Sequence, residues 1–237
     1  MIFIFDIDDT LYDLEVPFRT AFLKVFKYEP DDLHEIFLDF RKYNNLVYEK
    51  AILGEITMEE LCIYRAVSAF KDHNILIDDE KAEEFQLAYI KDKEHIELDP
   101  FVEMVLSMLK EKNIPIGIIS NGPHVDQFEK IDFLKADRFI DVKNIFISED
   151  VGAYKPDIKI FDFARKNIIK NTGLPCDSVV YFVGDAFDLD IKGAYNAGMN
   201  TIWVNRRDYD EDFSICKPDF VAYSFEELYN IVRNIIN

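Results

Sequence analysis

Two kinds of apolar spacing alternate along the chain. Ile2-Phe3-Ile4-Phe5 is an unbroken apolar run that stops at Asp6-Ile7-Asp8-Asp9-Thr10. A short run of Ile and Phe closed by polar residues predicts a strand buried on both faces. From residue 15 to 96 the spacing becomes helical. Residues 16–26 and 33–53 carry apolar positions at helical intervals, the second stretch ending before Gly54. Thr57 and Glu60 have the spacing of a capping box, and Ile63, Val67 and Phe70 follow at i, i+4 and i+7. A further helix is predicted over 80–93. The block holds one glycine, Gly54, and no proline between Pro30 and Pro100. It reads as an all-helical insertion.

Beyond residue 97 strands and helices alternate. Asp99-Pro100 predicts a helix start, with Asp as N-cap and Pro at N1. Its apolar face is Phe101, Val105, Met108 and Leu109. Strands are predicted at 114–119, 145–147, 178–183, 200–204 and 220–222. Helices are predicted near 124–133 and 189–197, and after Lys155-Pro156-Asp157. A last one begins at Ser224 with Leu228, Val232 and Ile235 on one face. This alternation predicts an α/β fold, a parallel sheet wound on both sides. The expected division is a core of residues 1–14 and 97–237, with a helical domain at 15–96.

Composition narrows the class. The chain has 237 residues, 49% apolar and 31% charged, as expected of an ordinary soluble protein. No apolar stretch approaches the length of a membrane span, and the first residues lack the basic and cleavage regions of a secretory leader. Cys62, Cys176 and Cys216 are far apart and form no CxxC, which favours a reducing cytosol over a disulfide framework. The formal net charge is −19. Such a field repels nucleic acid and anionic membranes, so the expected partner is a small molecule. An anionic one would need a locally positive site.

Four polar clusters fall at or just beyond predicted strands: Asp6/Asp8, Ser120/Asn121, Lys155 and Asp185/Asp190. Open α/β sheets bind ligands beyond the carboxyl ends of their strands. Three aspartates at positions 6, 8 and 9 repel one another and call for a cation, unless they form a solvated acidic turn. Read alone, Ser120-Asn121-Gly122 is equally a strand-to-helix turn, and Lys155 a solvated residue before a helix. Together and in order, the four resemble the motifs of the haloacid dehalogenase-like hydrolase superfamily, and within it the phosphatases with a helical cap. Asp6-Ile7-Asp8-Asp9-Thr10 matches DxDxT. Ser120 matches the Ser or Thr that closes a strand, Lys155-Pro156 the third motif, and Gly184-Asp185 through Asp190 the GDxxxxD motif.

The resemblance implies a Rossmann-like core and a Mg²⁺-dependent phosphatase acting on a small phosphate ester. It implies Asp6 as nucleophile, forming an aspartyl-phosphate, and Asp8 as general acid and then base. As an acid, Asp8 would need a pKa above that of a free aspartate. Mg²⁺ would be held by Asp6, the Asp8 backbone carbonyl and Asp185, with Asp190 acting through water. Ser120, Asn121 and Lys155 would bind the phosphoryl group. Alternatives are a phosphomutase, a 2-haloacid dehalogenase, and a phosphate-binding protein without turnover. Dehalogenases of the superfamily replace the residue that corresponds to Asp8.

Overall fold

The computed structural model describes residues 1–237 apart from the side chain of Glu49. The chain forms two compact units, Met1–Asp13 with Glu97–Asn237, and Leu14–Ile96.

The helical unit contains α1 (Glu15–Phe26), α2 (Leu33–Ile52), α3 (Met58–Asp72) and α4 (Asp79–Lys93). The capping box forms as its sequence predicts. The Glu60 N–H donates to Thr57 Oγ1 and the Thr57 N–H to Glu60 Oε2, at 3.1 and 2.7 Å. The core of this unit is aromatic. Phe18 meets Phe37 and Phe85 edge-on with ring centroids 5.3 Å apart, and Phe70 meets Phe85 at 5.0 Å. Arg65 lies 4.4 Å above the Phe40 ring while donating to Asn44 and Gln86. Such edge-to-face packing adds to plain area burial.

The second unit is a six-stranded parallel sheet. Its elements are β1 (Ile2–Phe5), α5 (Pro100–Glu111), β2 (Ile116–Ser120), α6 (His124–Phe133), β3 (Ile145–Ile147), α7 (Ser148–Val151), α8 (Ile158–Thr172), β4 (Val180–Gly184), a π-helical turn at Phe187–Ile191, α9 (Lys192–Asn196), β5 (Asn200–Val204), β6 (Phe220–Ala222) and α10 (Phe225–Ile236). The strand order is β3-β2-β1-β4-β5-β6. All four residues of β1 are buried. It is a central strand, with Phe3 beside Ile116 on one side and Tyr181 on the other. Succession along the sheet reverses at β1, and that reversal opens a crevice at the carboxyl ends. On one face Ile4, Ile119 and Phe182 pack with Ile160, Phe161, Ala164 and Ile168, the inner stripe of α8.

Boundaries moved where backbone chemistry intervenes. β2 begins at Ile116 rather than 114, because Pro115 has no N–H to give a ladder and offers only its carbonyl, to the Phe3 N–H at 3.0 Å. The helix expected near 189–197 is a π-helical turn followed by α9. The helix expected after Lys155-Pro156-Asp157 begins at Ile158, with Asp157 as the cap. The four-residue α7 had no sequence signal.

Candidate active site

Parallel strands bring chemistry from distant parts of the chain to one edge. Asp6 follows β1 directly. Ser120 closes β2 and Asp185 follows β4, the two strands flanking β1. Asp190 stands in the π-helical turn, and Lys155 precedes α8. Asp6, Ser120, Lys155, Asp185 and Asp190 are all buried.

Lys155 Nζ lies 2.5 Å from Asp6 Oδ1 and 2.6 Å from Asp190 Oδ1. The first contact is a hydrogen bond. The second is an ion pair. Burial alone would favour a neutral amine; Asp190 and Asp6 outweigh it and hold the ammonium protonated. The Asp6 carboxyl is pushed up to about 7, mainly by burial and further by the charges of Asp190 and Asp8, although Lys155 pulls it down. One carboxylate oxygen each from Asp6, Asp185 and Asp190 lies within 4.8 Å of the others. Three buried carboxylates crowded this closely suit a hard divalent cation, which takes oxygen ligands. The donor set therefore fits the expected metal.

The fourth motif also explains its glycine. A Cβ on Gly184 would stand 2.6 Å from the Asp190 Cβ and 2.4 Å from its Oδ2. Asp190 Oδ2 also accepts from the Ala186 N–H at 3.0 Å, which fixes the carboxylate against the strand end. Gly184→Ala is expected to lower unfolding stability by ~1–3 kcal/mol, the usual cost of overpacking, and to loosen the Lys155–Asp190 contact. Urea unfolding would measure this; an unchanged midpoint would contradict the close approach.

Asn121 is joined to Lys155. Its Nδ2 donates to the Lys155 carbonyl at 3.0 Å, and its Oδ1 accepts from the Lys155 N–H at 2.8 Å. Its amide is thus engaged at both ends with the backbone of Lys155. Ser120 Oγ donates to Gln127 Oε1 at 2.8 Å.

Each aspartate of the first motif has its own protein cation. Asp6 has Lys155. Asp8 accepts from Lys130 Nζ at 2.6 Å and from the Tyr12 hydroxyl at 2.5 Å. Asp9 is buried, with a left-handed backbone at φ 58. It accepts from Arg206 at 2.6 Å and from Arg207 Nε and NH2 at 3.0 and 2.8 Å. The same two arginines reach Asp13 and hold its carboxyl down to about 2, against the opposing effect of burial. The repulsion expected among the three acids is therefore met in large part by the chain itself.

Gln127, Lys130, Arg206 and Arg207 were not foreseen. A signal existed for the first two. Gln127, Lys130, Ile131 and Leu134 stand at i, i+3, i+4 and i+7, the inward stripe of α6. Two polar residues in a stripe otherwise facing the core mark groups with buried partners. The Arg206-Arg207 pair follows β5 with only Asn205 between, at the same sheet edge as the motifs.

Comparison with known proteins agrees with this architecture. A glyceraldehyde 3-phosphate phosphatase of Methanopyrus kandleri is 33% identical over 147 residues, 58% of each chain; the chain thus spans little more than half of that relative's length. An (S)-2-haloacid dehalogenase of Pseudomonas fluorescens is 24% identical over 99% of this chain and 97% of its own. The magnesium-bound crystal structure of the HAD-hydrolase YfnB of Bacillus subtilis superposes with a TM-score of 0.70 at 22% identity, covering 98% of this chain and 97% of that one. Among the described residues no helix is long and apolar enough to cross a membrane. The family profile of haloacid dehalogenase-like hydrolases matches residues 3–204, and with a parallel sheet that gathers all four motifs at one edge, the chain belongs to that family of hydrolases.

Proposed function

We propose that the protein is a Mg²⁺-dependent phosphatase that hydrolyses a small phosphate monoester through an aspartyl-phosphate on Asp6. The observation that carries this reading is Asp8, a carboxylate two residues beyond the nucleophile, held by Lys130 and Tyr12. Ester cleavage needs a group that can give the leaving oxygen a proton; displacement of a halide does not. The similarity to a phosphatase over part of the chain supports the same reading.

An Asp6 carboxylate oxygen forms the new bond to phosphorus as the ester P–O bond breaks. Asp8 gives its proton to the departing alkoxide. Water then attacks phosphorus, Asp8 takes the water proton, and the P–O bond to Asp6 breaks. Lys155 offers fixed positive charge to the transferring group, and Ser120 and the backbone N–H groups beside it offer donors. Asp6, Asp185 and the Asp8 carbonyl would hold the cation, with Asp190 assisting through water. Bound there, Mg²⁺ would screen the repulsion between carboxylate and phosphate. The helical unit is proposed as the cap that selects substrates.

Chelation is expected to abolish hydrolysis across a panel of phosphate esters, and added Mg²⁺ to restore it. Full activity in excess chelator would sink the mechanism. The near full-length similarity to a 2-haloacid dehalogenase favours a second reading. Halide release from a 2-haloacid without metal, and no phosphate release from any ester, would establish it in place of the first.

A further inference from the structure

Lys130 is only 8% exposed, on a helix face otherwise turned to the core. Lysine is seldom buried so far without a partner that repays its lost hydration. Here two partners are present. Its ammonium donates to Asp8 Oδ2 at 2.6 Å and to Gln127 Oε1 at 3.2 Å. An ammonium can only donate, so it pins the Gln127 amide with its oxygen inward. The Ser120 hydroxyl, 2.8 Å from that same oxygen, must then give it its single hydrogen. The other end of the amide lies close over Gly122. A Cβ on Gly122 would stand 2.5 Å from Gln127 Nε2, and Gly122 has φ +143. The turn after β2 is therefore cleared for this side chain.

We propose that Lys130 is a positioning residue that aligns two parts of the site at once: the Asp8 carboxylate directly, and the Ser120 hydroxyl through Gln127. This rests on the phosphatase reading of Asp8 and Ser120. The shared acceptor has a purpose in that reading. When the Ser120 hydroxyl turns toward a phosphoryl oxygen, Gln127 Oε1 keeps the Lys130 hydrogen bond and is not left bare in a buried place. Loss of Lys130 removes one of the donors that orient Asp8, beside Tyr12, and lets Gln127 turn its amide, so proton transfer suffers more than attack by Asp6.

Lys130→Met keeps the apolar stem and removes the donors. With Mg²⁺ present, kcat for an alkyl phosphate should fall about 10²-fold, the low end of what a positioned acid or base supplies. For 4-nitrophenyl phosphate, whose leaving group needs little protonation, the first step should fall far less, and Lys130→Arg should recover part of the alkyl rate. Equal losses on both esters, or none, would overturn the proposal. A crystal structure of Lys130→Met reads the same point without turnover: Asp8 and Ser120 should leave their wild-type rotamers, and unchanged rotamers would overturn it. Should wild type hydrolyse no phosphate ester, the phosphatase reading fails, and the rotamers alone decide whether Lys130 positions these groups. Should Lys130→Met fail to fold, Gln127→Leu carries the test. Inorganic phosphate should then inhibit more weakly while the alkyl-to-nitrophenyl ratio stays near wild type; unchanged inhibition would overturn the proposal.

Discussion

Asp8→Asn is expected to release one burst of nitrophenol from 4-nitrophenyl phosphate, approaching one per site, and then to turn over slowly. The variant keeps the proposed nucleophile, Asp6, and the backbone carbonyl of residue 8. The surroundings also tolerate the amide. Its oxygen can face the Lys130 ammonium, which only donates, and its NH₂ can face the Tyr12 oxygen, which can accept. What is lost is the proton donor and acceptor. A good leaving group departs without the acid, but the later attack of water still needs the base, so phosphate accumulates on Asp6. Mass measurement should find the adduct on a peptide containing residues 1–10. An alkyl phosphate should hardly react at all. Asp6→Asn should show neither burst nor adduct with any ester. Absence of both from Asp8→Asn, with metal and phosphate still bound, would make the acid–base assignment wrong. A burst from Asp6→Asn would overturn the nucleophile instead.

Lys155→Ala should lose the most among the groups around the phosphoryl position. Removing even one neutral donor from a preorganised site costs ~10²–10³ in rate, and Lys155 is a full charge, buried and held between Asp6 and Asp190 at 2.5 and 2.6 Å. Its stem lies against the core, with Nζ 5.8 Å from the Phe182 ring centre, so it cannot swing away to solvent. The expected loss in kcat is several powers of ten, with weaker binding of vanadate as a second reading. A variant within a few-fold of wild type would show that fixed positive charge is not needed there.

Much of the frame was legible in the sequence because its signals are local. The strand at residues 2–5 is announced by four apolar residues ending at an acid. Thr57 with Glu60, and Asp99 with Pro100, state where α3 and α5 begin. The motif residues could be placed because each one ends or follows a strand, and a parallel sheet aligns such ends. What stayed hidden depends on pairing across the chain. That Asn121 grips the backbone of Lys155, or that Arg206 and Arg207 serve Asp9, follows from which loops come together, and no local spacing encodes it. The third aspartate illustrates this. Its charge suggested a cation nearby, but only the fold assigns two arginines to it.

The central place of β1 bears on the order in which the core can assemble. This strand precedes both of its neighbours in the chain, yet one begins at Ile116 and the other at Val180. During synthesis Ile2–Phe5 therefore waits, apolar on both faces and unpaired, while the whole helical unit is made. Closing so long a loop is entropically unfavourable, but packing of α1 on α4 and of α2 on α3 brings the ends of the excursion together and shortens it. A backbone hydrogen bond from the Asp99 N–H to the Leu11 carbonyl, 3.1 Å, ties the two ends of that excursion together. A helical unit folded first would thus act as a clip on the nascent chain, bringing β1 within reach of β2 before β4 emerges to cover its other edge.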